Sequence, residues 1–234
     1  EDNDDIFDFS EKENNVLVYD MVEAIKKAKT DEKIKGISIE TDGLRAGMTQ
    51  LDAVRTALQD FKKSGKFVYA YGNNVSQPAY YLGSVADEYF LNPAGGIELK
   101  GLSTEVLYMK SFTEKFGIGT EIIRHGKYKS AVEPFMRDDM SPENKEQIAT
   151  MLNDLWSDNA TKIAASRKMD VNQFKTVVDS LYGIIPDLSL KYKLANRLIQ
   201  KTEYDNLLKN KLKIKEKDKL NRISFSKYIG SYEE

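Results

Sequence analysis

The stretch KFVYAYGNNVSQPAYYLGSVADEYFLNP, Lys66 to Pro93, decides the fold. Phe67 to Tyr71 is a nearly continuous apolar run, the pattern of a strand covered on both faces in a parallel sheet. SQPAYYLGSVAD then reads as a short helix and EYFLNP as another strand. A strand, a helix and a strand in that order make a parallel unit with a right-handed crossover.

The same alternation continues on either side. In NNVLVYDMVEAIKKAKTD, residues Leu17, Met21, Ala24, Ile25 and Ala28 share one helical face. KIKGISIET follows as a strand that ends in the turn-like DGLRAG. MTQLDAVRTALQDFKKSG repeats Leu51, Val54, Leu58 and Phe61 at helical spacing, with Thr49 as its expected N-cap and Gly65 at C′. Beyond Pro93, GGIELKGLSTEVLY reads as extended segments around glycines. YMKSFTEKFG reads as a helix ending at Gly117, and IGTEIIRHG as a strand. Ser141 then caps a helix with Pro142 in its first position. That helix runs through ENKEQIATMLNDLWSDNATKIAASR, with VNQFKTVVDSL and SLKYKLANRLI expected as further helices. The tail LLKNKLKIKEKDKLNRISFSKYIGSYEE reads as a lysine-rich helix and a linker.

Composition narrows the chemistry. The 234 residues are 41% hydrophobic and 31% charged, with net charge −2, which suits a globular core and offers no electrostatic case for nucleic acid. There is no cysteine, so disulfides, thiol nucleophiles and cysteine-bound zinc are excluded. The single histidine, His125, makes a histidine-built metal site a poor expectation. No apolar run approaches the length of a membrane span and no signal peptide is visible. The chain starts at Glu1 with the acidic, polar EDNDDIFDFSEKENN, and is expected to be a piece of a larger protein.

Most candidate motifs have plain readings. Gly95 and Gly96 form no phosphate-binding pattern and predict a tight turn or bulge. The Arg137–Asp139 triplet RDD predicts surface charges ahead of a helix. His125, at an expected strand end, has no obvious carboxylate to orient it. Ser76 occupies a strand-to-helix turn, where α/β folds expose nucleophiles. Its neighbours Asn74, Gln77 and Pro78 are too bulky for such a turn, and a helix N-cap is the better reading.

RHGKYKSAVEPFMRDDMSPEN, Arg124 to Asn144, resists a plain reading because it sets Lys129 among Tyr128, Ala131, Val132 and Phe135. A lysine amine in water titrates near ~10.4. One that works as a base at neutral pH has to be desolvated or crowded by cations. The apolar neighbours offer the first condition, and Arg124, Lys127 and Arg137 the second. Glu133 cancels both if it pairs with the amine. On local residues alone, a surface lysine with a snorkelling stem is the simpler reading.

GKYKSAVEPFMRDDMSPEN, together with SGKFVYAYGNNVSQPAYYLGSVADEYFLNPAGGIELKG, resembles the amino-terminal half of the long-form signal peptide peptidase A family, also called protease IV. The resemblance runs from about Asn15 to the tail, and its YKSAVEPF and RDDMSP segments are highly specific. It implies an α/β fold of the crotonase/Clp-protease type, a repeated ββα superhelix with a helical carboxy-terminal region. The segments would be a polar 1–15, a domain over 16–206, and a lysine-rich helix and linker over 207–234 leading to a second half.

The resemblance also implies a membrane-anchored serine protease, with its catalytic domain on the periplasmic side of a bacterial membrane, that degrades cleaved signal peptides. Lys129 would be its catalytic general base. The nucleophilic serine would come from the carboxy-terminal half, because the family's ASGGY-like turn is absent here and NNVSQPAYY, with Ser76, resembles its degenerate counterpart. No cofactor or metal is implied. The implied partners are that second half, a hydrophobic peptide substrate, and further copies in a bowl-shaped homo-oligomer, a tetramer in full-length form. Two rivals stay open. One is a crotonase-type domain binding an acyl-CoA thioester, with backbone donors near Gly72 and Gly101. The other is a non-catalytic assembly domain.

Overall fold

The structure, a computed structural model, describes residues 17–119, 121, 129–215 and 217–233. The expected strand over IGTEIIRHG lies mostly outside them, as does His125. Packing divides the chain into two compact units, residues 101–160 and the remainder.

In the larger unit, four parallel strands lie in the order β1 (Gly36–Glu40), β2 (Phe67–Val75), β3 (Glu88–Ile97) and β4 (Arg197–Leu198). Helices α1 (Val18–Thr30), α2 (Met48–Lys62) and α3 (Gln77–Gly83) connect or precede the first three. The apolar run from Phe67 to Tyr71 is the second strand of the sheet, flanked by β1 and β3, as expected of a strand covered on both faces. Side chains alternate across it. Tyr69 and Tyr71 join Phe90, Tyr204 and Leu208 in one cluster under α9 (Lys201–Lys211). The rings of Tyr71 and Tyr204 stack at 5.1 Å, and Tyr69 meets Phe90 edge-on at 5.5 Å. Such pairs contribute about 0.5–1.5 kcal/mol each beyond the area they bury. Ser38 and Tyr204 close the layer with a 2.7 Å hydroxyl–hydroxyl bond.

Gly95 and Gly96 do form a bulge. Between Leu91 and Gly96 β3 has four residues where β2, between Gly72 and Asn74, has one. A Cβ on Gly95 would come within 2.0 Å of the Asn73 carbonyl oxygen, and one on Gly96 within 2.6 Å of that of Ile184. Backbone meets backbone here, so nothing flexible can yield.

Several boundaries differ from expectation. Leu17 is 65% exposed rather than part of the buried face of α1, because it is the residue before the helix. The N-cap of α2 is Gly47, whose N–H donates to Gln50 Oε1 at 3.0 Å, so Thr49 lies inside the first turn. Gly65, at φ +81°, follows the C-cap Lys63 by two residues. Residues 189–199, expected as one helix, instead contain the end of a six-residue helix, Pro186–Lys191, and then β4. Asn196 N–H donates to the Tyr89 carbonyl at 2.7 Å, Tyr89 N–H to Asn196 Oδ1 at 2.8 Å, and Ile199 N–H to Leu91 at 3.0 Å. The open edge of β3 offers these partners, and intrinsic helix propensity is too weak a preference to outweigh them.

The remaining helices are α4 (Lys110–Lys115), α5 (Glu133–Met136), α6 (Pro142–Ser166), α7 (Val171–Asp179), α8 (Pro186–Lys191) and α10 (Phe225–Glu233). The last packs on α1, with the Tyr228 hydroxyl donating to Asp31 at 3.0 Å. The end of α6 is held to α2 and α3 by Arg55, which is 1% exposed. Its guanidinium donates to Ser84 Oγ at 2.9 Å, to the Lys162 carbonyl at 2.8 Å, to Ser166 Oγ at 2.6 Å and to the Tyr81 carbonyl. No helix among the described residues is long and apolar enough to cross a membrane.

Candidate functional site

Lys129 lies in the unit of residues 101–160, immediately before a 3₁₀ turn at Ser130–Val132 that leads into α5. It is exposed, as are Ala131 and Phe135, while Val132 is half-buried. Among the described residues its amine has no hydrogen-bond or ion-pair partner. Tyr128, Arg124 and Lys127 lie outside the described residues. Arg137 is spoken for by Asp139, at 2.9 Å.

The carboxylate that sequence reasoning set beside Lys129 is engaged elsewhere. Glu133 is fully buried. It accepts from the Ser141 N–H at 3.2 Å, from the Ser141 hydroxyl, and from Asn144 Nδ2 at 3.2 Å. Ser141 is the cap expected for α6, and its Oγ accepts from the Asn144 N–H at 3.2 Å. A carboxylate placed at the start of a long helix meets unpaired N–H groups and the positive end of the helix dipole. Glu133 therefore ties the segment that carries Lys129 to the start of α6. Two more bonds complete the frame. The Met109 N–H donates to the Pro134 carbonyl at 2.6 Å, and Asp138 accepts from the Ser111 N–H at 3.1 Å and from its hydroxyl. The RDD carboxylates were expected to serve the helix that follows. Asp138 serves the first turn of α4 instead.

This unit is otherwise thin in apolar core. Among its described residues the only buried apolar side chain is Ala160, whereas Thr113, Glu133, Ser141 and Asn144 are buried polar groups. Nine of the sixteen large apolar side chains exposed among the described residues fall within these sixty positions, Leu107, Phe112 and Phe116 the most open of them. So polar bonds centred on Glu133, rather than apolar burial, order the lysine segment.

Ser76, in the other unit, is the N-cap of α3 and accepts from the Ala79 N–H at 3.4 Å. Its hydroxyl is used as a cap, as its neighbours suggested. Gly72 is packed where a Cβ would meet Thr41 and Val75, and Gly101 takes φ +78°. Among the described residues no three His, Asp or Glu side chains come together as a metal site. Glu133 as a positioning anion was legible only in part. Its spacing of eight residues from Ser141 crosses a proline-broken segment that no periodicity describes.

Comparison with known proteins places these residues. The profile of Peptidase family S49 matches residues 60–217, which includes Lys129, Glu133 and Ser141. Protease 4 of Salmonella typhi is 36% identical over 187 residues, covering 78% of this chain and 30% of that protein. Protease 4 of Haemophilus influenzae is 33% identical over 222 residues, 92% of this chain and 36% of that protein. The chloroplastic serine protease SPPA of Arabidopsis thaliana is 31% identical over 211 residues, 87% and 30% respectively. The chain thus spans about a third of the length of these curated relatives. A match over two-thirds of its residues, taking in strands β2 to β4 and the lysine segment, assigns the chain to Peptidase family S49.

Proposed function

We propose that this chain is the amino-terminal part of a membrane-associated serine endopeptidase that degrades cleaved signal peptides. Lys129 is its general base and the rest of the protein supplies the serine. The observation that carries the reading is Lys129 itself. It lies four residues before Glu133, which with Ser141 and Asn144 makes the described frame, yet among the described residues its amine engages none of them, which leaves it to a group from outside. In the complete enzyme the amine takes the proton of the serine hydroxyl as that oxygen attacks the scissile carbonyl. The resulting ammonium then gives it to the leaving amine.

A base of this kind has to be kept neutral, and desolvation is the ordinary means. The exposed apolar side chains of the same unit supply the other requirement, a surface on which a second half closes and excludes water. On this reading the parallel sheet is one layer of a crotonase-like ββα superhelix. Further copies assemble into a tetramer, and a membrane anchor holds the catalytic domain on the periplasmic side. The chain alone is inactive.

The test is a peptidase assay on the full-length protein with an apolar peptide. Lys129→Ala is expected to lower the rate by about 10²–10⁴. Lys129→Arg should be nearly as low, since a guanidinium does not accept a proton at neutral pH. Normal turnover by Lys129→Arg rejects the general-base assignment and favours a pure assembly role. Stabilisation by an acyl-CoA, with no peptidase activity in the wild type, favours the thioester-binding alternative.

A further inference from the structure

At the amino-terminal ends of β1 and β2, far in sequence from Lys129, the larger unit contains a cavity of ≈ 250 Å³ that opens to solvent. Ile34, Phe67, Leu208, Leu212, Ile214 and Leu220 form its apolar walls. Its back wall depends on Gly36, because a Cβ there would stand 2.5 Å from the Phe67 ring. Lys33, Lys35 and Arg222 stand among these apolar groups.

The charges around the opening do not cancel. Arg222 is paired with Asp205, and Lys211 lies 5.9 Å from the centroid of the Phe67 ring. Asp31 accepts from the Lys33 N–H at 2.9 Å and is also bonded by the Tyr228 hydroxyl. Lys33 and Lys35 are exposed, and neither ammonium has an ion pair with a described carboxylate; Lys35 donates to the Glu32 carbonyl at 2.6 Å. Leu212, Ile214, Leu220 and Arg222 come from the stretch KNKLKIKEKDKLNR, Lys209 to Arg222, whose sequence carries seven cationic residues against two carboxylates. An apolar hollow favours an alkyl group taken from water, and a cationic rim favours an anion on the end of it.

We propose that this cavity binds the alkyl chain of a single-chain anionic amphiphile, a medium-chain carboxylate, whose head group is received by Lys33 and Lys35. A methylene needs about the room of one water in the liquid, ~30 Å³, so the hollow takes on the order of eight of them. The lining does not suit a peptide, whose backbone needs hydrogen-bond partners. The Ser38 hydroxyl, for one, is already taken by Tyr204. Nor does its shape suit shallow insertion into a bilayer, which calls for apolar side chains that protrude, whereas Leu212, Ile214 and Leu220 are half-buried and line a concavity. A free carboxylate and an acyl chain drawn from an anionic membrane share this chemistry.

The experiment is isothermal titration of the 234-residue chain with decanoate below its micellar concentration, alongside octanoate and the uncharged decanol. Saturable one-to-one binding of decanoate is expected, with each methylene removed weakening it about fourfold. Leu212→Trp fills the hollow and is expected to abolish binding. The double variant Lys33→Glu/Lys35→Glu alters only exposed side chains and is expected to weaken decanoate about tenfold or more while leaving decanol unchanged. Circular dichroism confirms that both variants fold. Co-sedimentation with phosphatidylglycerol vesicles separates the two sources, since vesicle binding lost in Leu212→Trp assigns the chain to a bilayer lipid. No saturable decanoate binding overturns the proposal. So does equal binding by wild type and Leu212→Trp, or vesicle binding without decanoate binding.

Discussion

The buried carboxylate of Glu133 accepts both the backbone N–H and the hydroxyl of Ser141, the residue that caps the 25-residue helix α6. Lys129 is four residues before Glu133, joined to it by one 3₁₀ turn. The position of the candidate base is thus inherited from an anion that does no chemistry of its own.

That relationship predicts a specific pattern of damage. Glu133→Ala leaves Ser141 and Asn144 without their acceptor and is expected to cost about 1–3 kcal/mol. Ser141→Ala, which loses the cap as well, should cost about 1 kcal/mol or more. Hydrogen exchange should show the loosening at the amides of residues 133–145, with the amides of β1 to β3 unaffected. Uniformly faster exchange across the sheet would contradict the local role.

Arg55 is predicted to be the costliest single polar residue to remove from the larger unit. Burial lowers its guanidinium pKa from the ordinary value, yet four acceptors on α3 and α6 hold it. Arg55→Met strips all of them and is expected to destabilise by at least about 3 kcal/mol. Arg55→Lys should recover little of this, since a single ammonium does not span the two helices. Urea unfolding of the two variants measures it.

The bulge on β3 predicts intolerance at Gly95. Gly95→Ala places a methyl against the Asn73 carbonyl, and separating two backbones is expected to cost about 1–3 kcal/mol. Gly43→Ala makes an informative control. Nothing lies within 4 Å of the added methyl there, and only the positive φ of 69° opposes it. Thermal unfolding should rank Gly95→Ala as the more harmful.

Asp52 predicts part of the acid response. Hydrogen bonds from Lys162 and then from Tyr81 hold its carboxyl below the usual value. The Tyr81 hydroxyl is pushed up to about 12, first by burial and then by that carboxylate. A carboxylate whose pKa is lower folded than unfolded stabilises the fold above its unfolded value of about 3.9. That contribution is lost as pH falls through the folded pKa. Asp52→Asn should therefore lose less stability than wild type as pH drops below about 4. Chemical unfolding at a series of acid pH values checks it, and parallel curves would remove Asp52 from the account.

The parallel sheet was legible because its signals are local. The apolar run at Phe67–Tyr71, the helical spacing of Leu51, Val54, Leu58 and Phe61, and the Ser141–Pro142 start each follow from a few neighbouring residues. The lysine segment was legible as a resemblance, through residues whose spacing matches a family rather than a period. What the local pattern could not contain was the partner at a distance. Arg197–Leu198 became strand β4 because β3 had an unfilled edge, and Asp138 turned to α4 because the Ser111 N–H was there to be bonded. Glu133 was a charge beside a lysine in the sequence, but folding carried it to Ser141 and Asn144 and left Lys129 exposed. Periodicity and capping are set by neighbouring side chains, so sequence alone determined most of the helices and the three main strands. The destination of a buried charge depends on which unpaired N–H groups the whole chain brings within reach, and only the tertiary structure decided that.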